Sequence, residues 1–169
     1  MPTKEMAWPK QPSDRQWIKP EGDDPRTLYQ MLMVSQERFG GEPCIGYIPG
    51  PGMQRIHLTY NEFGDLTTAV AKGLRDIGVV TADRVAIIVD NSVEWAALSY
   101  GANALGAAYT AMYTHQHGKD WAFILNDATP KVVAVQNTMV LDKLCDALDD
   151  DAWPEAGVIP VSYTHLRAH

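Results

Sequence analysis

Arg84-Val85-Ala86-Ile87-Ile88-Val89 is apolar after its first residue and β-branched except at Ala86, and no polar residue alternates within it. A half-buried strand alternates with period two, whereas a strand covered on both faces does not, so this run reads as an inner strand of a parallel sheet. Its flanks agree. Upstream, Thr59-Tyr60-Asn61-Glu62 has the Ser/Thr-x-x-Glu spacing of a capping box. Phe63, Leu66, Val70, Leu74 and Ile77 then recur at helical intervals before Gly78. Downstream, Asn91 and Glu94 repeat the capping spacing ahead of a stripe of Trp95, Leu98, Ala102 and Leu105, and Ala96, Ala97, Gly101 and Ala104 are expected to allow close approach to a sheet.

Beyond Gly106 the alternation continues. Residues 107–112 read as a second strand, 117–128 as a helix with Trp121, Ile124, Leu125 and Ala128 on one side, and 131–135 as a third strand. Residues 138–150 read as a helix through Leu141, Leu144, Cys145 and Leu148, and 157–159 open a fourth strand. Strands alternating with helices predict right-handed crossovers, hence an α/β fold with parallel-sheet layers and flanking helices.

Toward the N-terminus, residues 1–26 hold Pro2, Pro9, Pro12, Pro20 and Pro25 among charges and read as an extended arm. Thr27 is a candidate N-cap for a helix that presents Leu28, Met31, Leu32 and Ser35 on one face and stops at Gly40-Gly41. Residues 44–48 and 55–58 are strand-like and flank Pro49-Gly50-Pro51-Gly52, which predicts an N-terminal β-hairpin. Read as a phosphate loop, that turn fails: its prolines remove N–H donors and it leads into a strand instead of a helix.

The 169 residues are 46% hydrophobic and 21% charged, as in a folded domain. A formal net charge of −7 with interspersed signs offers no basic face for nucleic acid. Cys44 and Cys145 stand far apart without CxxC or Cys/His spacing, which suggests neither a disulfide framework nor a zinc site, and both are expected to be packing residues. The start of the chain lacks the apolar stretch of a secretory signal, and no run approaches the ~20 apolar residues of a membrane span. A cytoplasmic protein is expected, at most peripheral to a membrane.

Five short segments carry a resemblance. Leu58-Thr59-Tyr60-Asn61-Glu62-Phe63, Asp83-Arg84-Val85-Ala86-Ile87-Ile88, Asn91-Ser92-Val93-Glu94-Trp95, Leu105-Gly106-Ala107-Ala108-Tyr109 and Ile124-Leu125-Asn126-Asp127 occur in order and at characteristic spacing. Together they resemble the opening landmarks of the AMP-forming acyl-CoA synthetases, the adenylate-forming, AMP-binding family. The Asn-x-x-Glu-Trp form and the helix Thr27-Leu28-Tyr29-Gln30-Met31-Leu32 look most like its long-chain fatty-acid CoA ligase branch. The resemblance covers residues 27–140. It implies that residues 27–160 are a truncated part of the large N-terminal domain of an adenylate-forming enzyme. In the intact parent a fatty acid carboxylate would attack the α-phosphate of Mg-ATP, and the CoA thiol would then displace AMP.

The family's Ser/Thr/Gly-rich phosphate loop ending in Pro-Lys-Gly, its Tyr/Phe-Thr-Gly-Asp segment and its C-terminal catalytic lysine have no counterpart in these residues. The chain is therefore expected to be inactive alone: no catalytic, cofactor-binding or metal-ligating residue is assigned, and ATP, Mg and CoA are implied for the parent only. Residues 161–169, Val-Ser-Tyr-Thr-His-Leu-Arg-Ala-His, look like an in-frame translation of a transposase sequencing adaptor and are expected not to be native.

Other candidates read as structure. His115-Gln116-His117 has Asp120 as its only nearby acid and reads as a solvated turn. Asp146, Asp149, Asp150 and Asp151 lack calcium-loop spacing and read as a solvated helix end, where acids oppose the helix dipole and favour fraying near Asp150. Two further readings stand beside the fatty-acid ligase: another adenylate-forming ligase of the family, and a stand-alone flavodoxin-like module that binds a nucleotide or partner at the C-terminal ends of its strands. The last needs a glycine-rich first βα turn, and Val89-Asp90-Asn91-Ser92 has none. Truncation is expected to leave an uncovered apolar surface and a free strand edge, and so to favour self-association.

Overall fold

The computed structural model describes residues 27–48, 52–149 and 153–161. The chain runs α1 (Leu28–Phe39), β1 (Pro43–Tyr47), β2 (Ile56–Thr59), α2 (Tyr60–Asp76), β3 (Arg84–Ile88), α3 (Val93–Ala104), β4 (Ala108–Met112), α4 (Gly118–Ala128), β5 (Val132–Val135), α5 (Thr138–Cys145) and β6 (Val158–Pro160). β1 and β2 pair antiparallel as the expected hairpin, each one residue from its predicted span. Gly52 has a left-handed φ of 74°; the rest of the expected Pro-Gly turn lies outside the described residues.

The second sheet is wholly parallel and has the order β4-β3-β5-β6. β3 pairs on both sides, which is why its sequence shows no alternation: residues 85–88 are completely buried. The period-two geometry of the strand divides them between two cores. Val85, Ile87 and Val89 face Leu74 of α2 and Leu98 and Ala102 of α3. Ala86 and Ile88 face the other way, with Trp121 and Leu125 of α4 and Val140 and Leu144 of α5. A third core joins Leu32, Phe63, Val93 and Ala97 beneath the hairpin.

The helix starts follow the capping chemistry. Thr27 accepts from the N–H of Gln30, whose side chain reaches back to the Thr27 N–H, and Thr59 and Glu62 form the same reciprocal pair. In α3 the cap is Ser92, whose hydroxyl accepts from the Trp95 N–H at 3.1 Å, so the expected Asn91 cap is off by one residue. Asn137 caps α5, which ends at Cys145 and not near residue 150.

Several side chains depart from the expected stripes. On α1, Leu32 is buried but Leu28 and Met31 are about half exposed, because that helix packs chiefly against α2 and α3, on its Leu32 side. Ile77, at the exposed C-cap of α2, is likewise turned toward water. Cys44 is half-buried against the third core, whereas Cys145 is exposed and is no packing residue. Gly101 brings α3 close to helix α2, not to the sheet: a Cβ there would lie 2.8 Å from Val70 Cγ1. Val161, the first residue assigned to the adaptor-like tail, donates its N–H to the Val135 carbonyl at 2.6 Å and packs on the first core. The arm of residues 1–26 and tail residues 162–169 lie outside the described residues.

Candidate functional site

In a doubly wound sheet the crevice for ligands opens where successive crossovers leave toward opposite faces, beyond the C-terminal ends of the strands. Here that point lies between β3 and β5. The chain leaving β3 crosses through α3 on one face to reach β4, and the chain leaving β5 crosses through α5 on the other to reach β6.

The crevice is bridged by side chains. The Asp90 N–H donates to Gln136 Oε1 at 2.8 Å, and the Gln136 N–H donates to the Ile88 carbonyl at 2.9 Å. The Thr114 hydroxyl donates to the Asp90 carboxylate, tying the end of β4 to the end of β3. Next to it, the 113–117 turn is held from three directions. The Tyr113 N–H donates to Gln116 Oε1 at 3.0 Å, the Trp121 indole N–H donates to the Tyr113 carbonyl at 3.0 Å, and Lys143 Nζ donates to the Gln116 carbonyl. Lys143 Nζ also lies 4.3 Å from the Trp121 ring centroid, a cation–π contact.

Two cavities open on this end, about 400 Å³ beside Asp90 and Tyr113 and about 660 Å³ under the hairpin, and they share Asn91 and Trp95. Trp95 meets Tyr109 edge to face at 6.3 Å and is half-buried, less enclosed than its place in the expected stripe implied. Only the alternation of strands and helices foreshadowed this crest. The bonds of Gln116, Gln136 and Thr114 are long-range or turn-specific and left no periodic signal.

The arrangement suits positioning more than catalysis. The first βα turn carries Asp90 in place of glycines, so a phosphate would meet a carboxylate where a nucleotide fold offers free N–H groups. His115 and His117 are both exposed on the turn, and among the described residues no cluster of three or more His, Cys, Asp or Glu side chains is placed to hold a metal ion. Two groups have shifted titration. Burial pushes the Cys44 thiol up, and the hydrogen bonds from the Thr59 N–H and hydroxyl hold Glu62 below the usual carboxylate range. Neither stands at the crest.

Comparison with known proteins supplies what the geometry leaves open. A long-chain-fatty-acid–CoA ligase of Bos taurus is 25% identical over 146 residues, covering 85% of this chain and 20% of its own length. The long-chain-fatty-acid–CoA ligase FadD13 of Mycobacterium tuberculosis is 37% identical over 78 residues, 46% of this chain and 16% of that protein. The inhibitor-bound N-terminal domain of FACL13 from Mycobacterium tuberculosis superposes with a TM-score of 0.68 at 28% identity, covering 84% of this chain and 35% of that one. The chain thus spans about a fifth or less of the length of the curated relatives it matches. Residues 34–164 match the family model described as AMP-binding enzyme, and the chain therefore belongs to the AMP-binding, adenylate-forming family.

Proposed function

We propose that this chain is an N-terminal part of an ATP-dependent long-chain fatty acid–CoA ligase, and that alone it has no ligase activity. The observation that carries this reading is the family match over residues 34–164 together with relatives named as long-chain-fatty-acid–CoA ligases. The intact enzyme would use fatty acid, Mg-ATP and CoA, joining carboxylate to AMP and then to the thiol. Acyl transfer through an adenylate needs charge stabilisation at phosphate and in-line positioning. The acid at the first βα turn fits neither task. Among the described residues no helix is long and apolar enough to cross a membrane. The proposed setting is cytoplasmic, with any membrane contact peripheral.

Two measurements test the reading. Incubated with ATP, oleate and CoA, the 169-residue chain should release no AMP or pyrophosphate above a no-protein control; measurable release would overturn the inactivity. Native DNA at the parent locus should carry a reading frame that continues past Pro160 into a Ser/Thr/Gly-rich loop ending in Pro-Lys-Gly. A stop codon directly after His169 would refute it. The strand order favours one second reading, a stand-alone flavodoxin-like binding module, since β4-β3-β5-β6 is the doubly wound order 2-1-3-4. That same stop codon, with a cooperatively melting monomer, would select it.

A further inference from the structure

The cavity of about 660 Å³ under the hairpin has walls that include Ile45, Tyr47, Ile48, Val93 and Trp95, and its one charged lining residue is Arg55. Small-molecule pockets run to ~300–1,000 Å³ and combine apolar walls with a few polar groups that fix orientation. This cavity fits both descriptions. Arg55 is exposed, and among the described residues its guanidinium has no ion pair or hydrogen bond. It is a charge that a ligand can reach.

Arg55 meets the cavity by crossing β1 at a residue without a side chain. It lies one residue before β2, so strand alternation puts it on the same face of the hairpin as His57, whose partner on β1 is Gly46. A Cβ at Gly46 would stand 2.8 Å from the His57 ring and 3.3 Å from Arg55 Cδ. The Arg55 side chain is therefore laid over Gly46, and Ser92 and Val93 at the start of α3 complete the lining. The positive end of the α3 dipole adds to the potential there. No Asp or Glu belongs to that lining. Asp90 lines the neighbouring cavity and accepts from the Thr114 hydroxyl, and Glu94 lines the groove bounded by α2, α3 and β6.

We propose that this cavity is a binding site for a small aliphatic carboxylate, its chain against Tyr47, Ile48 and Trp95 and its carboxylate on the Arg55 guanidinium. A planar guanidinium takes both oxygens of a carboxylate in parallel N–H···O bonds. Walls and charge together select this class. A peptide would set backbone N–H and C=O groups against apolar side chains, a polyphosphate would bring more negative charge than one guanidinium offsets, and an ammonium would meet a like charge.

The test is titration of the 169-residue chain with octanoate, 1-octanol and octylamine, followed by calorimetry and by amide NMR shifts. The net charge of −7 favours a cation over the molecule as a whole, so preference for the anion has to be local. Octanoate should bind about fivefold more tightly than octanol, as an ion pair at an exposed rim allows, with shifts centred on the hairpin and the start of α3. Butanoate should bind more weakly than octanoate, because the walls hold the chain. Arg55→Gln should remove the advantage over octanol, and Arg55→Glu should put octylamine first. Absent binding of octanoate at millimolar concentration, equal affinities for octanoate and octanol, an octanoate preference that survives Arg55→Gln, or shifts centred on another face would overturn the proposal. Binding is read without ATP or CoA, so this site and the ligase reading fail separately.

Discussion

Glu62 occupies the N3 position of α2 and accepts the Thr59 N–H at 2.8 Å and its hydroxyl at 2.9 Å. Both bonds favour the ionised form and hold its pKa low in the folded chain. A carboxyl with a lowered folded pKa contributes stability above its unfolded pKa and loses it as pH falls through the folded one. Part of the acid-induced loss of stability below the usual carboxylate range should therefore disappear in Glu62→Gln, the difference between the proteins being largest at neutral pH and vanishing only once pH has fallen below the lowered folded pKa. Urea melts across pH read this directly, and parallel profiles would refute it. Gly101 makes a different demand. A Cβ there would stand 2.8 Å from Val70 Cγ1 and 3.3 Å from the Ala71 backbone N, and a β-branched neighbour on a helix has no rotamer to retreat into. Gly101→Ala should therefore cost about 1–3 kcal/mol in spite of alanine's better helix propensity, measured as a lowered urea midpoint. The two tryptophans divide likewise. Trp121 is fully buried and donates to the Tyr113 carbonyl, while Trp95 is half-buried at the rim of a cavity. Trp121→Ala should cost about 3–5 kcal/mol and Trp95→Ala clearly less, so equal melting temperatures for the two variants would contradict the assignment.

Elements announced themselves in the sequence wherever one physical cause dominated. β3 and β5 are covered on both faces, so Val85 to Ile88 and Val132 to Val135 had to be apolar without alternation; the first was readable as an inner parallel strand and the second as a strand. The reciprocal cap of Thr59 and Glu62 and the cap residue Thr27 were readable because their spacing is local, whereas the part that Gln30 plays at Thr27 came only from the structure. Boundaries decided by competition were not. Asn91 and Ser92 are both good caps, and only the geometry that puts the Ser92 hydroxyl on the Trp95 N–H separates them. Ser92→Ala is thus expected to destabilise by about 1 kcal/mol, and Asn91→Ala, at an exposed residue, by much less; the reverse order in thermal melts would restore Asn91 as the cap. The end of α5 and the exposure of Leu28, Met31 and Cys145 were hidden for another reason. Helical periodicity says which residues share a face, and it is silent on whether a second element arrives to cover that face. The bridging side chains of the crest, Thr114 on Asp90 and Gln136 on the Asp90 N–H, join strands far apart in sequence and left no local trace.

At the scale of the whole molecule, apolar coverage and charge act against each other. Two cores are closed on the sheet, yet among the described residues the groove bounded by α2, α3 and β6 stays open, and Leu28, Met31, Ile48, Phe123 and Met139 are exposed elsewhere. Such surface favours association. Pro160 blunts the outer edge of β6, so contact between copies would run through side chains instead of an extended ladder. Opposing it is the net charge of −7, a repulsion that salt screens over ~10 Å at about 0.1 M and over much less at about 1 M. The chain should consequently move toward higher mass as salt rises. Size-exclusion chromatography with light scattering at micromolar concentration, run at low and high salt, measures this. A monomer at every salt concentration would mean that the open apolar faces are too small or too dispersed to drive contact. Association that weakens as salt rises would mean that ion pairs, and not apolar burial, hold the copies together.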